Sequence, residues 1–288
     1  MQITKRSSSN SFPYFPLLRE WLRKGRLLDR RKNFQIGPPV LQITKRSSSN
    51  SFPYFPLLRE WPRECDENHE CNRRELYWPT RVIFVGGSDP NKLELHEQAN
   101  RRKSEGYIAL SHCWGTPTDE EKKRFCTTQE NYRNRLEEFD YNGLPKTFQD
   151  AVHVTRELGK EYLWIDSLCI IQGDEEDWQN EAGLMEKVFA SAYCTIAVSS
   201  APNWQNGFLE RNLSPQYFQI QDSSSRQVYV CDDTDNFNED VDEGPLNKRA
   251  WVLQERVLSR RTIHFSAKQT YWECGKGVLC ENFTRLKW

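Results

Sequence analysis

The chain has 288 residues, 37% of them hydrophobic, and a formal net charge of −1 at pH 7. That length holds one large or two small domains, and the low apolar share points to polar, poorly folded stretches. Near-zero charge removes any global pull toward nucleic acid or anionic membrane, and the longest apolar run, Tyr162 to Ile171, is too short to span a bilayer.

Gln2 to Trp21 recurs letter for letter as Gln42 to Trp61. A solenoid needs three or more diverged repeats, so the copy reads as a recent duplication or a fault in gene prediction. Residues 1–62 are expected to be disordered, or helical only in short pieces such as Pro16 to Arg31, and dispensable for folding. The basic Arg23 to Lys32 run reads as a solvated tail. Residues 63–106 form a lead-in with one short strand, Arg81 to Val85, ending at Gly86-Gly87.

Tyr107 to Ser111 is the next β-type run, closed by Trp114-Gly115, and the polar stretch Cys126 to Asp140 has helical character. Thr147 reads as an N-cap with Asp150 completing an approximate capping box. Behind it Phe148, Ala151, Val152, Thr155 and Leu158 share a helical face that Gly159 ends. Tyr162 to Ile171 is expected as one buried strand. An acidic loop, Gly173 to Glu176, then leads a helix from about Asp177 with an apolar stripe of Trp178, Ala182, Met185, Val188, Phe189 and Ala192. Met185 and Phe189 are expected to be buried, and Trp178 to join the core or face the loop.

Cys194 to Ser199 follows as a buried strand, then a loop over 201–213 and a hairpin of Tyr217 to Gln221 with Gln227 to Cys231. A helix over Leu246 to Leu258, a strand at Thr262 to Phe265 and an extended piece at Thr270 to Cys274 complete the order. Alternating strands and helices predict an α/β fold: a mostly parallel central sheet flanked by helices, with the β-hairpin inserted.

Nine scattered cysteines, an odd number, and a polar N-terminus unlike a signal peptide favour reduced thiols and a cytoplasmic or nuclear location. Cys65, His69 and Cys71 suggest zinc, but tetrahedral zinc wants four ligands and no second close pair stands nearby. Cys274 and Cys280 could complete the set only through folding, so no metal is expected. Ser111 and His112 end one strand and Asp166-Ser167 closes another, where α/β sheets place ligands. Strand alternation puts Ser111 and Cys113 on one side and His112 on the other, which weakens a Ser-His or Cys-His nucleophile. His112 contacts phosphate or ribose, or else bonds a backbone carbonyl; Asp166 holds ribose hydroxyls or caps the following turn. Trp164 and Cys169 read as core.

Six motifs, in order, resemble the fungal heterokaryon-incompatibility (HET) family: YIALSHCWG (107–115), LPKTFQDAV (144–152), YLWIDSLCIIQ (162–172), DWQNEAGLM (177–185), GFLER (207–211) and RAWVLQERVLS (249–259). The Trp61, Cys65, His69, Cys71 lead-in is also similar to a segment that often precedes this domain, departing in the single residue between His69 and Cys71. The resemblance implies a HET domain over 107–274, a C-terminal tail over 275–288, and a role as a cell-death effector in self/non-self recognition. Because the chain stops at Trp288, it also implies an effector-only protein or a fragment.

HET domains are in turn similar to Toll/interleukin-1 receptor (TIR) domains, and the element order here follows theirs. That implies TIR-like, flavodoxin-like layering. Enzymatic TIR domains cleave NAD with a glutamate shortly after a tryptophan, and the matching position is Glu255, four residues after Trp251. The resemblance thus implies Glu255 as catalytic, at an exposed or cleft-lining position, with Trp251, Ser111, His112, Trp114, Asp166 and Ser167 around the substrate. NAD would be substrate, with no tightly bound cofactor. Otherwise Glu255 is a surface partner of Arg249 or Arg256, and the domain a non-catalytic adaptor. Expected partners are a second copy or another incompatibility protein, with no nucleic acid and no membrane segment.

Overall fold

The computed structural model describes residues 55–69, 71, 77–97, 106–211, 217–221, 227–231, 236–281 and 285–286. The first repeat copy and the basic Arg23 to Lys32 run lie outside the described residues. All those described fall within one unit, Ser47–Lys287.

Four short strands supply a parallel centre: β3 (Ile108–Ser111), β5 (Tyr162–Trp164), β6 (Cys194–Val198) and β9 (Arg261–Phe265). They lie side by side in the order β5-β3-β6-β9, each adjacent pair parallel. Residues of β3, β5, β6 and β9 are all buried, because the sheet is covered on both faces. Beyond β5 come β1 (Arg81–Phe84), β2 (Lys92–Glu97) and β4 (Phe139–Asp140). Beyond β9 come β10 (Thr270–Cys274), β11 (Gly277–Cys280) and β12 (Arg285–Leu286). All of these flanking pairs are antiparallel.

The sheet is therefore mixed and mostly antiparallel, which corrects the expected mostly parallel sheet. The reason is connection length. Parallel neighbours need a crossover of a dozen or more residues; β1 to β2, β9 to β10 and β10 to β11 are joined by links too short for one. The expected TIR-like, flavodoxin-like layering does not describe this sheet as a whole. The inserted hairpin forms as expected, β7 (Tyr217–Gln221) against β8 (Gln227–Cys231), as a separate two-stranded ribbon.

The lead-in is part of the same fold. Helix α1 (Phe55–Asn68) buries Leu57, Leu58, Trp61 and Cys65 in the main core. Residues up to about 62 thus do not all lack structure, since α1 begins inside the second repeat copy. Its apolar face is completed by tertiary neighbours that no local pattern reveals. At the other end, β11 and β12 continue the sheet through residues read as a tail.

After β3 come α2 (Asp119–Phe125), α3 (Tyr132–Glu137) and α4 (Lys146–Glu157). A full capping box starts α2: Thr118 Oγ1 accepts from the Glu121 N–H, and Glu121 accepts from the Thr118 N–H. The box expected at Thr147 is absent, because α4 already starts at Lys146 behind Pro145. The Asp150 carboxylate instead accepts the N–H groups of Phe208 and Leu209, at 2.8 and 3.1 Å, and pairs with Lys146. It thereby ties two of the sequence motifs together. Gly207 makes the approach possible: its φ is +65°, and a Cβ there would lie 2.6 Å from Lys146 Cγ.

The run Tyr162 to Ile171 is not one strand. It leaves β5 after Trp164 and turns into a single helical turn, α5 (Asp166–Cys169). Helix α6 (Glu175–Ser191) starts at Asp174, which caps it by accepting the Asp177 N–H at 3.0 Å. Val188 and Phe189 are buried on its stripe, Met185 only half so, and Trp178 faces solvent at 48% exposure. The polar side of α6 has a buried duty. Arg81 donates to both Asp177 oxygens at 2.6 Å and to the Cys169 carbonyl, with Glu181 at 3.7 Å. Helix α7 (Ala250–Leu258) follows a 3-10 turn at Leu246–Lys248 and packs against α6. Among the described residues no helix is long and apolar enough to cross a membrane.

Candidate functional site

In chain order, the parallel strand β3 is followed by β5 on one side, while β6 leads through α7 to β9 on the other. The direction of winding therefore reverses between β3 and β6, and the carboxyl edge there is where an open α/β sheet leaves a crevice. Ser111, His112 and Cys113 leave β3 at this edge. Asp166 leaves β5 beside them, because β3 and β5 are parallel neighbours.

Side-chain alternation along β3 sorts the contacts. Ser111 faces α7, where its Oγ donates to Glu255 Oε2. Cys113 faces the same way and packs with Ala197, Leu246 and Val252. His112 points to the other side, meeting the Phe148 ring of α4 edge-on at 5.1 Å. His112 is therefore not placed to activate Ser111 or Cys113. Burial also lowers its pKa, against the pull of Asp166, and burial pushes the Cys113 thiol up, so neither group is charged and reactive near neutral pH.

Glu255 is 7% exposed, which corrects its expected exposed or cleft-lining position. Burial raises its pKa from the ordinary 4.5 to about 7; Asp166 adds to the rise, while the Ser111 hydrogen bond and Arg249 oppose it. Neither surface pairing expected for Glu255 forms as a bond. Arg256 turns to Asp242 and Glu273, and Arg249 Nη1 donates to the backbone carbonyl of His112. Arg249 thus clamps the start of α7 onto the end of β3. An arginine six residues before the glutamate was visible in sequence, but its carbonyl partner was not.

Asp166 is half-buried and engaged at both oxygens: Oδ1 accepts the Ser167 N–H at 2.7 Å and Oδ2 accepts the Trp114 indole N–H at 2.8 Å. Asp166 is itself the first residue of the turn, whose N-cap is Ile165, so both of its oxygens are satisfied within the chain. Ser167 is fully buried and does not line a surface. The structure therefore brings Ser111, His112, Trp114, Asp166 and Glu255 together, with Ser167 beneath them. Trp251 belongs to α7, but its side chain lies outside what is described.

The space at this site is small. A cavity of about 10 Å³, lined by Ser111, Ala197, Val252 and His264 among others, has room for roughly one water. A cleft of about 510 Å³ lies at the opposite, amino edge of the parallel strands, lined by Arg59, Arg63, Arg156 and Tyr193 among others. The Ser111–Glu255 pair has the elements of a hydroxyl held by a group that gains or loses a proton near neutral pH. In this conformation the pair is closed off from solvent.

A family model described as heterokaryon incompatibility protein (HET) matches residues 107–255, from the residue before β3 to Glu255 itself. No curated protein and no solved structure matches the chain. The match spans more than half of the 288 residues and contains the whole β3–β5–β6 edge with its glutamate, so the chain belongs to the heterokaryon incompatibility (HET) family.

Proposed function

We propose that the chain is a heterokaryon-incompatibility effector that brings about cell death by cleaving NAD at the nicotinamide–ribose bond, with Glu255 as the essential carboxylate. The observation carrying this reading is the placement of Glu255 beside Ser111, away from water, at the edge where the sheet reverses direction. A carboxylate in such a place acts far more strongly on developing charge than one in water. In the reaction the C1′–N bond breaks and its electron pair passes to the ring nitrogen. Nicotinamide then leaves neutral without a general acid. Water adds at C1′ and gives up a proton, leaving ADP-ribose. The ionised Glu255 opposes the positive charge on the ribose, as carboxylates do in glycoside cleavage. A pKa of about 7 also suits it to take the proton from water.

NAD is far larger than the cavity beside Ser111, so entry requires α7 to separate from the strand edge. The test is therefore run at several protein concentrations, with nicotinamide release measured by chromatography. Release by the parent, falling roughly 100- to 1000-fold in Glu255→Gln, supports the reading. No release at any concentration removes it.

The same cavity, with room for one water, favours a second reading, a non-catalytic adaptor that signals by self-association. Trp178 on α6 and Leu253 on α7 are 48% and 57% exposed, large apolar groups on two helices that pack together. Cell killing by Glu255→Gln at the parent's level, with no NAD loss, would select the adaptor.

A further inference from the structure

Cys65 and His69 stand four residues apart at the end of α1, and the His69 N–H donates to the Cys65 carbonyl at 3.1 Å, so both side chains share one helical face. Cys71 follows two residues later. The fourth partner comes from the far end of the chain: Cys274, the last residue of β10, brings its Sγ to 3.5 Å from His69 Nδ1. The three sulfurs and an imidazole nitrogen all lie within 4.8 Å of one another. The β10–β11 turn presses close enough that a Cβ on Gly275 would sit 3.3 Å from Cys71 Sγ.

We infer that Cys65, His69, Cys71 and Cys274 form a structural zinc site that staples α1 to the β10–β11 turn. Tetrahedral zinc, at about 2.3 Å from sulfur and 2.0–2.1 Å from nitrogen, sets its donors roughly 3.5–3.8 Å apart, so the set needs only a small contraction. Three thiolates and one imidazole select zinc over oxygen-loving magnesium or calcium. Four protein donors leave no position open for water or substrate, which makes the site structural rather than catalytic. A disulfide would use two of the thiols and leave the third, with the imidazole, unexplained. All three are free thiols.

The surroundings fit a negatively charged centre. Arg261, 2% exposed, lies beside Cys65, and among the described residues its Nε and Nη1 have no hydrogen-bond partner. Its Nη2 binds Asp66 at 2.6 Å, and Tyr193 donates to the same carboxylate at 2.7 Å, fixing the end of α1 against β9. Three thiolates on zinc supply charge to the buried guanidinium. Cys280, the other sequence candidate, belongs to a different cluster with Phe237, Val241 and Tyr271.

The test uses the full chain, purified reduced and without chelator, with zinc measured by elemental mass spectrometry. One zinc per chain is expected, lost in Cys71→Ala/Cys274→Ala and kept in Cys126→Ala, a buried thiol elsewhere in the core. Should the double variant fail to fold, cobalt added to the wild-type chain under reducing conditions decides instead: intense thiolate charge-transfer and tetrahedral d–d bands, abolished by equimolar zinc, support the site. A folded wild-type chain that contains no zinc and takes up neither metal overturns it, as does zinc retained by the folded double variant.

Discussion

Glu255→Gln tests the buried carboxyl through stability as well as through activity. In the folded chain Glu255 binds its proton with a pKa of about 7, against an ordinary 4.5. Between those values the folded chain holds a proton that the unfolded chain has released. The resulting stability is complete below about pH 4.5 and is lost as pH rises through 7. At 1.36 kcal/mol for each decade of proton affinity, the gap corresponds to about 3 kcal/mol. Gln carries no charge at any pH and its carbonyl still accepts from Ser111, although its amide brings two donors into a buried place. An unpaired donor there costs about 1–3 kcal/mol whatever the pH. The diagnostic quantity is therefore the change between pH 5 and pH 8, measured by urea unfolding of parent and variant. The parent should lose about 2.5 kcal/mol more than the Glu255→Gln variant over that interval, the part of the gap that falls between those two pH values, because every other titrating group is common to both. Parallel curves would refute a buried, proton-holding Glu255, and with it the electrostatic basis of the proposed reaction.

Other expectations follow from packing. Phe189→Ala should cost about 3–5 kcal/mol, since the ring is 2% exposed and meets Trp164 edge-on at 5.7 Å; an unchanged melting temperature would place it outside the core. Arg81→Ala should cost a similar 3–5 kcal/mol by leaving Asp177 and Glu181 without their buried cation. Arg81→Lys should recover only part of this, because an ammonium cannot span both Asp177 and the Cys169 carbonyl as the fork does. Limited proteolysis of the full chain should leave α1 with the resistant core, and a truncation starting at Leu76 should unfold at lower urea. A cooperatively folded remainder of undiminished stability would show that α1 is not integral.

Several elements were legible from local pattern. The hairpin strands Tyr217–Gln221 and Gln227–Cys231, and β10, appear with the bounds that sequence suggested. Helix α4 ends where Gly159, at φ +68°, was expected to stop it. Pattern failed where two structures share one signature. A continuous apolar run such as Tyr162 to Ile171 suits a buried strand or a buried helical turn equally well. At Thr147 a residue with capping chemistry was already inside the helix, and its presumed partner Asp150 had been taken by a loop some sixty residues away.

The residues around the candidate site were readable because each sits just past a strand or on the following helix, and alternation along β3 alone separates His112 from Ser111 and Cys113. Motif order was likewise enough to indicate the family. What only the tertiary structure decided is everything that depends on burial and on distant partners. Glu255 lies in a helix whose charged residues would ordinarily be solvated; closure of α7 on β3 buries it and moves its proton affinity. The second repeat copy is letter for letter the first, and its Leu57, Leu58 and Trp61 count as core only because distant parts of the fold cover them. The direction of β2, β10 and β11 was set by the shortness of the links that precede them. Cys274 stands more than two hundred residues from His69 in sequence, and no local spacing could pair them; the sheet's edge brings that thiol to the end of α1.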